Sequence, residues 1–172
     1  MTDPVQADPV LTALGLPPAE VVGLVETLRA RGETVATAES LTAGLVCAAL
    51  TCVPGSSAVV RGGLVVYATD LKNRLAGVDE ELLAEHGAVH PAVAEELAAG
   101  ARRACEATWG VGLTGVAGPD PQDGVSPGRV YIAVAGPSDC SVRVINAEGD
   151  RPSVRAAAVA AAVRLLRAEL GG

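Results

Sequence analysis

Residues 34–53 hold the pattern that most constrains the fold: a short β-branched run, a polar turn and an apolar helical stripe. Residues 34–37 predict a short buried strand, and apolar side chains then recur at the helical period as far as Val53. Pro54 and Gly55 predict the end of that helix. This order is typical of an open α/β sheet, in which ligands bind where a strand passes into a helix because backbone N–H groups are available there.

The turn between the predicted strand and helix holds Glu39, Ser40 and Thr42. A hydroxyl at this position can bind an anion, or it can act as a nucleophile beside backbone N–H groups that stabilise an oxyanion. It can also do no more than cap the helix, which is the commoner role of serine and threonine at such a turn. The turn alone therefore leaves both roles open.

The core must be built almost without aromatic side chains, because the 172 residues include no Phe, one Trp and two Tyr. Val, Leu and Ala remain, and they suit a parallel or mixed sheet covered by alanine-rich helices. The formal net charge of −7 argues against binding to nucleic acids or membrane surfaces, which requires a basic stripe. One or two well-placed arginines would still suffice for a small anionic substrate.

The cysteines show no CxxC pairing and are interpreted as small buried side chains in a reducing compartment; they are Cys47, Cys52, Cys105 and Cys140. No apolar run has the length and flanks of a signal peptide or a membrane span. We therefore expect a soluble, cytoplasmic protein.

The order of the predicted elements defines the fold class. Residues 1–16 lack a clear period and predict a flexible N-terminal arm, whereas residues 17–172 predict one domain. Helices are predicted at 17–30, at 45–53, after a cap at Thr69 or Asp70, at 79–85, from Pro91 to 105 and after a cap at Asp150; strands are predicted at 34–37, 58–68, 109–114, 130–135 and 141–145. The last two strands have no helix between them, so the prediction is a single-domain, three-layer α/β/α sandwich with a mixed sheet.

The strand at 58–68 contains Gly62 and Gly63, which predict a bulge or the close approach of another element. Near the end of this strand lie Tyr67 and, five residues on, Lys72. A lysine that is desolvated at a strand end can lose its proton and serve as general base to a serine. An ordinary surface lysine is the alternative, but the chain has one lysine and twelve arginines, which favours a position that needs a deprotonatable amine.

Two further stretches are candidates for ligand binding. Thr114 ends a predicted strand and leads into a turn that contains Gly115 and Gly118, where backbone N–H groups and a hydroxyl could approach a ligand. Arg151 and Arg155 follow Asp150 at the start of the last helix, where cations oppose the helix dipole unless an anion such as a phosphate lies nearby. Pairing of these arginines with neighbouring carboxylates explains them equally well.

A metal site is not expected. His86 and His90 are four residues apart, but Gly87 between them and Pro91 after them argue against a helical pair of metal ligands.

These pieces, in this order, resemble the CinA C-terminal family of nicotinamide-mononucleotide deamidases over residues 18–170. The matching segments are Ala38-Glu39-Ser40-Leu41-Thr42-Ala43-Gly44, Val53-Pro54-Gly55-Ser56-Ser57, Arg61-Gly62-Gly63, Tyr67 through Lys72, Leu75-Ala76-Gly77-Val78, His86-Gly87-Ala88-Val89, Thr114-Gly115-Val116-Ala117-Gly118-Pro119, Gly128-Arg129-Val130-Tyr131-Ile132 and Gly149-Asp150-Arg151. The resemblance implies hydrolysis of the carboxamide of nicotinamide mononucleotide to nicotinate mononucleotide and ammonia, within pyridine nucleotide recycling. It also implies an α/β/α fold and a homodimer.

The family's serine nucleophile corresponds to Ser40, and its tyrosine and lysine correspond to Tyr67 and Lys72. The mechanism predicted from the resemblance and the residues together is a serine–lysine amidase in which Lys72 is the base and Tyr67 orients the lysine or relays a proton. Oxyanion stabilisation is expected from backbone N–H groups near Leu41 and Thr42. Neither a metal nor an organic cofactor is expected.

Substrate contacts are expected from Glu39, Leu41, Thr42, Thr114, Gly115 and Gly118, with Arg151 or Arg155 as the phosphate ligand. The chain departs from the family pattern at Leu41, at Ala43 and in the loop 120–124, where Asp120 and Asp123 replace part of a glycine cluster. Two acidic residues would repel a phosphate held by that loop. A pyridine-nucleotide-binding module without catalysis, and an amidase for another nicotinamide derivative, therefore remain alternatives.

Overall fold

The computed structural model describes residues 8–171. The helices are α1 (Pro9–Leu14), α2 (Pro18–Arg31), α3 (Leu45–Thr51), α4 (Thr69–Ala76), α5 (Glu80–His86), α6 (Pro91–Cys105) and α7 (Arg151–Glu169). The strands are β1 (Val35–Glu39), β2 (Val60–Val65), β3 (Trp109–Gly115), β4 (Arg129–Ala135) and β5 (Cys140–Asn146). Apart from α1, each of these elements overlaps one that the residue pattern predicts.

The five strands form one mixed sheet in the order β2-β1-β3-β4-β5. β1 pairs in parallel with β2 and β3, whereas β3, β4 and β5 pair antiparallel. Glu39 at the end of β1 lies opposite Val65 of β2 and Leu113 of β3, so the three parallel strands end at the same edge of the sheet. Helices cover both faces, which confirms the predicted single α/β domain with a mixed sheet.

The two faces of the sheet are built from side chains of different size. Branched residues such as Val111, Leu113 and Ile132 pack against α1, α2, α3 and α7. The opposite face carries alanine and glycine, and α6 lies directly on it: a Cβ added at Gly112 would come 2.3 Å from the carbonyl oxygen of Ala94. Close packing of backbone on backbone thus replaces the bulk that aromatic side chains would supply.

The N-terminal segment differs from its prediction. The part of residues 1–16 that is described forms α1, which begins with an Asp8 carboxylate that accepts hydrogen bonds from the amides of Val10 and Leu11. Leu11 and Leu16 are buried in the main core. The prediction of a flexible arm is therefore wrong for residues 8–16, and its first seven residues lie outside the described part of the chain.

Two local predictions at β2 and α4 have different outcomes. Gly62 and Gly63 do mark a bulge and a close approach, since the register with β1 shifts there and a Cβ at Gly63 would lie 2.6 Å from Oγ1 of Thr37. Thr69 and Asp70 are not the cap of α4, because Ala68 holds that position and no side chain caps the helix.

The start of β3 lies at the edge of the sheet opposite to the ends of the parallel strands. Trp109, its first residue, donates a hydrogen bond from Nε1 to Glu33 (2.7 Å). Its ring lies so close to Gly136 that a Cβ there would be 2.6 Å from an aromatic carbon. Within residues 8–171, no helix has both the length and the apolar character needed to cross a bilayer.

Candidate active site

The turn after β1 is organised by the Glu39 carboxylate. Strand alternation directs this side chain to the same face as Val35, and there it is completely buried. It accepts hydrogen bonds of 2.9–3.1 Å from the amides of Gly44, Val46 and Cys47 and from the Thr37 hydroxyl. Glu39 therefore satisfies the first amides of α3, which is the position where a carboxylate is stabilised by the helix dipole.

The hydroxyl of Ser40 is consequently not needed as a helix cap. Ser40 follows Glu39 and alternates to the other side, and its backbone amide donates to the carbonyl of Leu113 (3.2 Å). The chain then turns through Ala43 and Gly44, whose φ angles are 50° and 94°. Of the two roles that the sequence leaves open for Ser40, capping belongs to its neighbour.

Lys72 reaches Ser40 from α4. Its side chain is only 1 % exposed, and Nζ donates to Oγ of Ser40 (3.1 Å) and to the carbonyl oxygens of Val66 (2.8 Å) and Tyr67 (3.3 Å). Burial lowers the pKa of Lys72 from 10.5 to about 8, and the negative charge of Asp123 opposes this shift. A lysine in this state can take the proton of a hydroxyl with which it is already in contact.

A cavity of about 260 Å³ opens in front of Ser40, where the three parallel strands end. Its walls come from the turn after β1, the segment leading into α4, the segment between α5 and α6, β3 with the loop after it, and the first turn of α7. The lining residues are Ser40, Leu41, Tyr67, Ala68, Thr69, Ala88, Val89, Thr114, Gly115, Val116, Ala117, Gly118, Asp120, Gln122 and Arg151. The cavity lies where an open α/β sheet is expected to bind its ligand.

Tyr67 and Arg151 form one wall together. The Arg151 guanidinium donates to the Tyr67 hydroxyl (2.8 Å) and to the carbonyl oxygen of Gly118 (2.9 Å). Tyr67 is 57 % exposed, and its contact with Lys72 is made by the main-chain carbonyl. Tyr67 thus contacts Lys72 through its main-chain carbonyl and Arg151 through its phenol hydroxyl.

The predicted site residues separate into two groups. The cavity is lined by Ser40, Leu41, Tyr67, Thr114, Gly115, Gly118 and Arg151, with Lys72 directly behind Ser40. Glu39, Thr42 and Arg155 lie outside the lining. Arg155 instead donates to the carbonyl oxygens of Leu41 (2.9 Å) and Thr42 (3.2 Å), and Thr42 has a buried hydroxyl without a partner in the described part of the chain.

Several residues of the cavity region were not among the predicted contacts. Thr69, Ala88 and Val89 line the cavity, and the carbonyl of Ala88 accepts a hydrogen bond from the Thr114 hydroxyl (2.6 Å). Ala88 and Val89 belong to a segment that carries the family resemblance, so a signal for them was present in the sequence. Thr69 likewise lies within the matching segment from Tyr67 to Lys72, at the start of a helix that follows a strand.

The loop 120–124 contributes acidic groups in two ways. Asp120 lines the cavity together with Gln122. The Asp123 carboxylate accepts a hydrogen bond from the Ala88 amide (3.2 Å), which ties the loop to the segment between α5 and α6. Negative charge is therefore present on the same cavity as Arg151.

The two histidines stack on each other, with 4.4 Å between the centroids of His86 and His90. His90 also caps α6 by accepting from the amide of Ala92. Among residues 8–171, no group of three or more His, Cys, Asp or Glu side chains is placed to hold a metal ion.

The chain is similar in sequence and in structure to proteins of one family. A model of the CinA C-terminal domain matches residues 20–170. CinA-like proteins from Frankia casuarinae and Anaeromyxobacter dehalogenans are 48 % identical over 142 residues and 51 % identical over 148 residues, or 83 % and 86 % of this chain. The chain spans about a third of the length of these relatives (33 % and 36 %).

Solved structures of similar proteins have the same fold. The structure of a competence-damaged protein (CinA) superfamily protein from Klebsiella pneumoniae matches with a TM-score of 0.86 at 30 % identity, covering 89 % of this chain and 96 % of that one. A competence/damage-inducible protein from Agrobacterium tumefaciens matches with a TM-score of 0.81 at 33 % identity, again covering 89 % of this chain and 96 % of that one.

Proposed function

Because this chain belongs to the CinA C-terminal domain family, we propose that it hydrolyses the carboxamide of nicotinamide mononucleotide, giving nicotinate mononucleotide and ammonia. The observation that carries the proposal is the contact between Lys72 Nζ and Ser40 Oγ, 3.1 Å apart at the wall of the cavity. A buried lysine beside a serine that caps no helix is the arrangement that a serine–lysine amidase requires.

The acylation step uses groups already in contact. Ser40 Oγ attacks the carboxamide carbon while Lys72 takes the hydroxyl proton, and a tetrahedral oxyanion forms. When the C–N bond breaks, the proton passes from Lys72 to the leaving nitrogen and ammonia departs. The carbonyls of Val66 and Tyr67 hold the amine in position for both transfers.

Deacylation repeats the same proton transfers with water. Lys72 takes a proton from the water molecule that attacks the ester carbon, the carboxylic acid forms, and the proton returns to Ser40 Oγ. Every step uses side chains of this chain and water only.

The rest of the substrate would occupy the cavity beyond Ser40. Arg151 is the candidate phosphate ligand, since Gly118 and Tyr67 use two of its five N–H donors and the other three have no acceptor within residues 8–171. Thr114 fixes the Ala88 segment through its hydroxyl and contributes to the floor of the cavity.

The first experiment follows ammonia release from nicotinamide mononucleotide by the purified protein without added metal, beside a Ser40→Ala variant. We expect release by the wild-type protein and a loss of several orders of magnitude in the variant. Equal release by both proteins would exclude Ser40 as the nucleophile. Release by neither, with both folded, would exclude the mononucleotide as substrate.

Asp120 on the cavity wall favours a second candidate, an amidase for a phosphate-free nicotinamide derivative. A carboxylate weakens the binding of a phosphate dianion and strengthens that of the cationic pyridinium ring. Comparing kcat/KM for nicotinamide, its riboside and its mononucleotide discriminates the two: a higher value for the riboside supports the second candidate. Tight binding of any of them without ammonia release supports a binding module.

We also propose that the protein acts in the cytoplasm as a homodimer, as the family resemblance implies. Light scattering coupled to size-exclusion chromatography tests the dimer directly, since a mass of one chain at micromolar concentration would refute it.

A further inference from the structure

Arg155 lies behind the turn that follows Ser40, on the side away from the cavity. It is half-buried on α7, one helical turn beyond Arg151. Its Nε donates to the carbonyl oxygen of Leu41 (2.9 Å) and its terminal nitrogen to that of Thr42 (3.2 Å). One guanidinium thus holds two successive peptide groups of the turn.

The carbonyls of this turn determine where its amides point. In a trans peptide the C=O group of one residue and the N–H group of the next residue point in opposite directions. A contact that fixes the carbonyl of one residue therefore also fixes the direction of the next residue's amide. The carbonyl of Ser40 accepts from the Ala43 amide (3.0 Å), and that of Leu41 accepts from Arg155. The Leu41 and Thr42 amides are thereby directed away from these partners.

These two amides also differ from their neighbours in having no protein acceptor within residues 8–171. The amide of Ser40 is bound to Leu113, and that of Gly44 is bound to Glu39. Leu41 lines the cavity, whereas Thr42 is completely buried outside its lining, so the Leu41 amide is the donor left for an oxyanion on a substrate attacked by Ser40.

The conformation of the turn is strained and requires contacts that stabilise it, because Ala43 has a φ of 50°, which is unfavourable for a residue with a Cβ. Rotation of the Thr42–Ala43 peptide would relieve this conformation. Arg155 opposes that rotation by binding the Thr42 carbonyl, to which the Leu45 amide also donates (3.1 Å), and Arg155 is the side chain that binds the Leu41 carbonyl as well.

We propose that Arg155 is a positioning residue that holds the Leu41–Thr42 segment so that the Leu41 amide faces the oxyanion. The inference rests on the proposed amidase function, since the oxyanion arises in that reaction. It assigns to Arg155 a role in the rate of the chemical step and none in phosphate binding.

The test compares kcat and KM for nicotinamide mononucleotide between the wild-type protein and Arg155→Met, which keeps the apolar stem but removes both hydrogen bonds. Loss of one oxyanion donor typically lowers kcat by roughly 100-fold or more, so we expect about a 100-fold lower kcat with KM changed by less than about threefold. Arg155→Lys, which can still reach one carbonyl, should recover part of kcat.

A matched control lies on the same helix. Arg164 pairs with Glu20 on the surface, and Arg164→Met removes a guanidinium from α7 without touching the turn. We expect its kcat and KM to equal those of the wild-type protein. Thermal unfolding of each variant is followed by circular dichroism, to verify that the assay temperature lies well below the unfolding transition.

Two outcomes would overturn the inference. An unchanged kcat in Arg155→Met would mean that the turn keeps its conformation without the hydrogen bonds from Arg155. A KM that rises for the mononucleotide and not for the riboside, with kcat preserved, means that Arg155 binds the phosphate.

A second readout separates this inference from the proposed function. A fluorophosphonate probe phosphonylates an activated serine and places an oxygen against the Leu41 amide. The mass of the intact protein, followed over time, gives the rate of labelling. If the wild-type protein is labelled at Ser40 but releases no ammonia from the mononucleotide, the substrate is wrong, and about 100-fold slower labelling of Arg155→Met would still support the inference. Equal labelling rates would overturn it, and no labelling of the wild-type protein would refute both.

Discussion

Glu39 and Lys72 are two buried ionisable side chains at the carboxyl end of β1, and their surroundings differ. Glu39 accepts four hydrogen bonds, three of them from the first amides of α3. Lys72 donates to a hydroxyl and two carbonyls, and no carboxylate within residues 8–171 forms an ion pair with it. One charge is fully compensated and the other is not.

The difference assigns the two residues to separate tasks. A buried carboxylate that accepts hydrogen bonds from several donors stabilises the fold. A buried ammonium without a carboxylate in contact is poised to lose its proton, which is what a general base must do, and for Lys72 the effect of burial exceeds the opposing charge of Asp123. Ser40, between them, is placed by the first residue and activated by the second.

The largest expected effect is on turnover, when Lys72 is replaced. Lys72→Met fills the same space without an amine, and Lys72→Arg keeps a charge that cannot be lost. We expect both variants to lower kcat for the mononucleotide by about 10⁴-fold or more, while Lys72→Met has a free energy of unfolding equal to or above that of the wild-type protein at pH 7. Wild-type turnover in either variant would refute the role of Lys72 as base. Arg74→Met, on the exposed side of α4, is the control.

The next effect is on stability, when Glu39 is replaced. In Glu39→Gln an NH₂ group faces an amide donor, so at least one buried hydrogen bond is lost and an N–H group is left unpaired. We expect the free energy of unfolding in urea to fall by about 3 kcal/mol. Glu26→Gln on the exposed face of α2 should change it by less than about 0.5 kcal/mol. Equal free energies of unfolding for Glu39→Gln and Glu26→Gln would mean that the hydrogen bonds of the Glu39 carboxylate do not stabilise the fold.

The pH dependence of both activity and stability sharpens the same comparison. With a folded pKa of about 8, Lys72 becomes a neutral base as pH rises, so kcat/KM should increase about tenfold per unit below pH 8 and level off above it. Between about pH 8 and 10.5 the unfolded chain holds more protons at this site than the folded one. The penalty from Lys72, on the order of 3 kcal/mol, is therefore complete below pH 8 and vanishes as pH approaches 10.5.

Urea titrations of the wild-type protein and Lys72→Met isolate this contribution. The difference in their free energies of unfolding should shrink steadily from pH 7 to pH 10. A difference that stays constant over that range would mean that Lys72 keeps its ordinary pKa in the folded protein.

The smallest expected effect is on stability, when Ala43 in the turn between β1 and α3 is replaced. Ala43→Gly removes a Cβ from a residue with a φ of 50°, and we expect it to raise the free energy of unfolding by about 0.5–1 kcal/mol. Glu106→Gly, at the left-handed end of α6, has the same backbone reason and should gain about as much. A loss of stability in Ala43→Gly alone would show that the methyl group makes a contact that outweighs the strain.

Most of the sheet could be predicted from short-range patterns, whereas the grouping of Ser40, Tyr67 and Lys72 was implied by the family resemblance together with their places at strand ends. Hydrophobic period identified the strands and helices, and parallel strands bring their carboxyl ends together wherever the loops lie. The helix α1 was missed because its six residues are too few to show a period. Its signals are an Asp8-Pro9 start and a Gly15 end, which are capping signals only.

Two predictions at the site differ from the structure in where a side chain points. Glu39 was expected at the substrate, but strand alternation places it with Val35 and Thr37 on the face of α3, so the information was in the sequence and unused. Arg155 could not be distinguished from Arg151 by spacing, because residues four apart share a helical face. Which of them reaches the cavity depends on how far α7 extends past the turn, and that is a tertiary property.

The position of Trp109 makes the protein its own reporter of global unfolding. The lone indole is anchored to Glu33 at the start of β3, whereas Thr114 touches the cavity at the other end, about 17 Å away along the strand. Its fluorescence should therefore change when the sheet comes apart and stay constant when the cavity fills. Emission that shifts on addition of ligand would be evidence of a movement transmitted along β3 itself.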